Sequence, residues 1–77
     1  MNKLLTHNID IEVLLYVFDY VILENYDNIL NSYLIDKFEM CEIESSLRRL
    51  KCINYIEIIN NNVVITELGV LYILKNL

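Results

Sequence analysis

The sequence predicts an α+β fold, mainly α, with three helices, a two-stranded β-hairpin and a C-terminal helix in that order. Three observations lead there. Apolar residues recur at helical spacing in the first two thirds of the chain, with Ile43, Leu47 and Leu50 the clearest row. Two short β-branched runs, Tyr55–Ile59 and Val63–Ile65, flank Asn60-Asn61-Asn62, a tripeptide able to supply the positive φ angles of a tight turn. Proline is absent and glycine occurs once in 77 residues, so no linker or low-complexity tail is written into the chain. The expectation is one domain over residues 1–77, with 1–8 as a frayed or helical extension.

The first helix is expected from Ile9 to Glu24, with Asn8 or Asp10 capping its start. Ile11, Leu14, Leu15, Phe18 and Ile22 follow helical spacing and are expected to face the core. Val13, Val17 and Val21 form a second stripe, and Glu12, Tyr16 and Asp19 are assigned to the wet side. That second stripe packs either on another chain or on the last helix of the same chain. Asn25–Asn28 break the pattern, and Asp27 or Asn28 caps a second helix running to about Phe38, with Ile29 or Leu30, Leu34, Ile35 and Phe38 inward. A tight turn at Glu39-Met40-Cys41 leads into a third helix, Glu42 to Cys52. Its acids lie early and Arg48, Arg49 and Lys51 late, which suits the helix macrodipole. Glu44 and Arg48 form an i, i+4 pair in the favourable order. Asn54 sits where a left-handed residue stops a helix, and Thr66 is placed to cap the last one.

Composition excludes several classes of function. A domain of 9.2 kDa hides only about 63% of its extended-chain surface, too thin a core for a deep enclosed catalytic pocket. At 56% hydrophobic residues the chain carries more apolar surface than so small a body covers easily, which points to a partner. The net charge of −5 argues against nucleic-acid binding by bulk charge. The charge is uneven: residues 1–38 hold six acids and two lysines, whereas 39–52 hold three of each sign. The longest apolar run, Val13 to Leu23, is interrupted by Asp19 and is shorter than the ~20 residues of a spanning helix. Cys41 and Cys52, if on one helix, stand ~16 Å apart and cannot form a disulfide with each other. Reduced thiols fit a cytoplasmic protein. With His7 the only imidazole, there is no nucleophile–base pair, no metal set and no cofactor motif, so an enzyme is not expected.

The stretch Ile43-x-x-x-Leu47-x-x-Leu50-x-x-x-Asn54-Tyr55-Ile56, a hairpin, and then Ile65-Thr66-Glu67-Leu68-Gly69 resembles a winged helix-turn-helix domain. It is similar to the MarR-like and PadR-like transcriptional regulators, and the resemblance covers about residues 9–76. It implies that the third helix enters the major groove of double-stranded DNA while the hairpin, the wing, touches the backbone or minor groove. Carried over, the DNA-facing residues are Glu44, Ser45, Arg48, Arg49 and Lys51 on that helix and Asn60, Asn61 and Asn62 on the wing. A homodimer is expected, its contact built from Val13, Val17, Tyr20 and Val21 of the first helix and Val70, Leu71, Ile73, Leu74 and Leu77 of the last. The leading expectation is a small sequence-specific DNA-binding regulator. The alternative is an adaptor that uses the same fold to bind another regulator or a polymerase component, favoured by the acidic balance and the wing without a cation.

Overall fold

Helix α1 (Asn8–Asp19) turns inward a different face from the one its larger apolar residues suggest. Asp10, Val13, Leu14, Tyr16 and Val17 are buried, whereas Leu15 is exposed and Ile11 and Phe18 are only half-buried. Residues 10, 13, 14 and 17 form an unbroken i, i+3, i+4, i+7 row, and the first member of that row is a carboxylate. Tyr16, assigned to the wet side, is buried with its ring centroid 5.5 Å from that of Tyr33. The computed structural model describes residues 7–19, 24–30 and 32–76. The expectations for Ile22, Tyr20, Val21, Leu77 and the 1–6 extension therefore lie outside the described residues. The helix does not run to Glu24, which belongs to a strand.

The observed architecture is α+β and mainly helical, as expected, but its sheet has three strands rather than two. Strand β1 (Glu24–Asn25) pairs antiparallel with β3 (Asn62–Ile65), which in turn pairs with β2 (Ile56–Ile59), giving the order β1-β3-β2. The register sets Glu24 opposite Val63 and Asn25 opposite Asn62. A two-residue strand carries no readable alternation, so it was legible only as a break in a helix.

The second helix is also shorter than expected. Helix α2 (Tyr26–Leu30) stops, and a 3-10 turn (Tyr33–Asp36) follows. Ser32 divides them by local hydrogen bonding: its hydroxyl donates to the Ile29 carbonyl (2.7 Å) and accepts from the Leu34 amide (3.3 Å). Ile29, Leu30 and Leu34 are buried as expected, whereas Ile35 is exposed.

Helix α3 (Met40–Cys52) begins two residues early, so Glu39-Met40-Cys41 is a helix start and not a separate turn. The Glu42 carboxylate accepts from the Glu39 amide at 3.0 Å, leaving one fewer unsatisfied donor at the helix start. Its seam of Ile43, Leu47 and Leu50 is fully buried, with Ser46 beside it. At the other end Asn54 takes φ 66°. The Tyr55 amide then bonds the Leu50 carbonyl (2.9 Å) and the Asn54 amide bonds that of Lys51 (3.0 Å), the paired bonds of a Schellman stop with asparagine in the place glycine usually takes.

Ile59 pairs with Asn62 across the hairpin, so Asn60 and Asn61, at φ 50° and 64°, are its two loop residues in a type I′ turn. Thr66 caps α4 (Glu67–Asn76) by accepting from the Gly69 amide at 3.1 Å, and its own hydroxyl donates to the Asn54 carbonyl at 2.6 Å. One threonine thus joins the end of α3 to the start of α4. The Tyr55 and Tyr72 rings, 5.1 Å apart, extend that junction.

Gly69 is required by this junction rather than by its φ. A β-carbon there would lie 2.4 Å from the Tyr55 carbonyl oxygen and 2.7 Å from Ile65 Cγ1. Gly69→Ala is expected to destabilise the fold by about 1–3 kcal/mol through overpacking, even though alanine is the better helix former by about 1 kcal/mol. Urea unfolding of the two proteins measures the difference, and a more stable alanine variant would contradict this close approach.

Candidate functional site

Building the candidate surface starts inside the molecule, at Asp10. The residue is 2% exposed, a costly place for a charge unless it is paired and hydrogen-bonded. Arg49 meets it with Nη2 at 2.7 Å from Oδ1 and Nε at 3.0 Å from Oδ2, the two-pronged geometry that only a guanidinium supplies. The Ser46 hydroxyl donates to Oδ1 at 2.6 Å. The Arg49 pKa is raised, first by its hydrogen bonds to Asp10 and then by the carboxylate's charge, with burial opposing. This triad clamps the start of α1 to the middle of α3.

The clamp engages one residue of the expected nucleic-acid surface. Arg49 was expected to face DNA; its guanidinium is engaged inside the chain and 39% of the side chain is exposed. The adjacent arginines therefore diverge, since successive residues on a helix point about 100° apart. Arg48 and Lys51 are exposed, and Glu44 and Ser45 are half-buried. Cys41, Ser45, Arg48 and Cys52 follow i, i+4, i+7 and i+11 spacing along one outer stripe, and both thiols are exposed. The expected Glu44–Arg48 ion pair is not formed; the ion pairs among the described residues are Arg49–Asp10 and Lys37–Glu12. Glu44 and Arg48 instead lie close enough to Tyr26 to act on its phenol, whose pKa is raised mainly by burial and further by Glu44, with Arg48 opposing.

The wing tip makes contacts within the chain. Asn60 is exposed. The Asn61 carbonyl, however, accepts from the Tyr26 amide at 2.8 Å, and its side-chain amide reaches Asp27 at 3.5 Å. Asn62 lies within β3, paired with Asn25. The hairpin tip is thus tied back to the start of α2 rather than standing free. A shallow groove of about 320 Å³ runs from the start of α1 along α3, lined by His7, Ile9, Cys41, Glu42, Ser45 and Arg49. No group of three metal-ligating side chains occurs among the described residues.

The expected subunit contact divides in the same way. Val13, Val17 and Ile73 are buried by their own chain, so they are unavailable to a second copy. Val13 and Val17 of the second stripe pack within this chain, because Asp10 draws that face of α1 against α3. Leu71 and Leu74 are exposed and Val70 is half-buried, so the α4 half of the expectation keeps an open surface. Asp10 and Ser46 were missed as partners. The readable signal was Asp10's place three residues before Val13 in the buried row.

No family model, curated protein or solved structure matches the chain. No described helix is long and apolar enough to cross a membrane.

Removing one partner of the clamp separates structural from surface arginine. Arg49→Ala leaves Asp10 buried with a single hydroxyl donor and is expected to cost about 3 kcal/mol. Arg49→Lys recovers only part of that loss, because an ammonium cannot reproduce the fork. Arg48→Ala is expected to stay within about 0.5 kcal/mol of wild type. Denaturant unfolding of the three variants tests this order, and equal losses at both arginines would refute it.

Proposed function

We propose that the protein is a small DNA-binding regulator of winged helix-turn-helix type, which reads double-stranded DNA through the outer face of α3 and acts as a homodimer. The observation that carries this reading is the exposure of Arg48 and Lys51, with Ser45 beside them, on a 13-residue helix whose inner seam is fully buried. Such a helix is about 20 Å long, and its diameter of about 10–12 Å matches the width of a B-DNA major groove, about 12 Å. Element order supports the same reading: α1, the short strand β1, α2 with its 3-10 turn, α3, a hairpin closed by a type I′ turn, and a last helix. In this arrangement Arg48 offers a planar fork to guanine edges or phosphate, Lys51 a point charge to phosphate, and Ser45 a hydroxyl donor. Arg49 is a positioning residue that holds α3 against α1. A dimer doubles a modest set of cations and presents two such helices to successive major grooves about 34 Å apart.

The adaptor reading is favoured by a specific observation. With Arg49 engaged by Asp10 and the wing tip tied to α2, the α3 surface keeps two open cations against Glu39, Glu42 and Glu44. A protein partner with a mixed-charge face suits that surface as well as a polyanion does.

Titration of genomic-fragment duplexes at a series of salt concentrations discriminates the two. Wild-type protein is expected to bind with a salt slope that becomes shallower by about 0.9 for each phosphate contact removed per bound chain in Arg48→Ala and Lys51→Ala. Wild-type protein that shifts no duplex even at low salt would reject the DNA reading and leave the adaptor.

A further inference from the structure

Helix α4 is apolar on both sides of its axis. Gly69, Tyr72 and Ile73 turn inward, yet Leu68, Leu71 and Leu74 remain 40%, 38% and 69% exposed. At about 100° per residue, the direction opposite the buried side falls among Glu67, Leu71 and Leu74, where a helix lying on the surface of a monomer places its polar residues. This row is also symmetric about its middle. Leu68 and Leu74 stand three residues to either side of Leu71, and Glu67 and Lys75 stand four.

We infer that this row is an isologous interface in which α4 packs antiparallel on α4 of a second copy, about a two-fold axis passing at the height of Leu71. Self-complementarity selects the occupant. A two-fold axis brings the same patch of both chains together, so Leu71 meets its own copy, and Leu68 of each chain stands at the height of Leu74 of the other. The charges select the direction. Antiparallel packing sets the Glu67 end of each helix beside the Lys75 end of the second, within reach of those two long side chains, and opposes the helix dipoles favourably. Parallel packing would bring glutamate to glutamate and lysine to lysine. Helix α1 takes no part through Val13 or Val17, because both are covered within the chain.

The inference deepens the dimeric half of the proposed function and is independent of what α3 binds. Light scattering after gel filtration, over a concentration series, is expected to give a mass near twice 9.2 kDa for wild type. Leu71→Lys sets two ammonium groups face to face on the axis and is expected to give a monomer with an unchanged far-ultraviolet circular dichroism spectrum. Leu74→Lys, at the most exposed position of the row, does the same if Leu71→Lys fails to fold. Glu67→Lys and Lys75→Glu make both ends of the row alike in charge, and each is expected to weaken self-association at least roughly fivefold. Mixing the two variants restores association as a heterodimer, a result that loss of packing alone would not give. A wild-type monomer at every concentration, a Leu71→Lys and Leu74→Lys pair that both still dimerise, or a mixture that stays apart would each overturn the interface. DNA titration keeps the readings distinguishable. A monomer that still binds duplex through Arg48 and Lys51 removes only this interface, and a dimer that binds no duplex removes only the DNA reading.

Discussion

A single buried carboxylate sets the arrangement of this molecule. Asp10, held by the Arg49 fork and the Ser46 hydroxyl, can lie inside the fold only where those two groups converge on it, and they converge only against the middle of α3. That requirement fixes the rotation of α1 about its own axis. Once Asp10 is inward, Val13, Leu14 and Val17 follow it into the core and Leu15 is turned out. An ion pair of this kind adds little stability over a well-packed apolar substitute, but leaving either half alone is expensive. Its structural effect is to make one register of α1 on α3 far better than its neighbours.

The same pair shapes the outer surface. Arg48 and Arg49 are adjacent in sequence and differ in role, because one turn of helix cannot present consecutive residues to the same side. Arg49 is drawn back to α1 and Arg48 stays outside, so the α3 face combines Arg48 and Lys51 with a hydroxyl, two thiols and the carboxylates of the helix start. Its electrostatic character is mixed rather than basic. Under the proposed function, a face of this mixed character would hold a polyanion through few contacts placed well, and the proposed pairing of two copies would double them.

Behind α3, the chain closes through small, specific contacts instead of additional apolar bulk. Asn54 ends α3 in the left-handed region, Thr66 bonds both to that turn and to the start of α4, and Gly69 lets α4 approach the Tyr55 carbonyl. The inner side of α4 is consumed in this junction. Its outer side keeps the leucines that composition had already marked as more than a domain of this size covers.

The sequence by itself determined the helix–hairpin–helix order, the α3 seam, the asparagine stop, an asparagine turn in the hairpin and the threonine cap, because each depends on local dihedral preference or on one residue's reach to its near neighbours. Tertiary structure alone decided the face of α1, the splitting of the second helix at Ser32, strand β1 and the fate of Arg49. Periodicity treats a carboxylate as an outward residue, and only a partner 39 positions away makes it an inward one. Likewise a two-residue strand exists only because β3 offers it an edge. Contacts between distant positions outweigh local pattern wherever a buried charge or an unpaired backbone group must be satisfied.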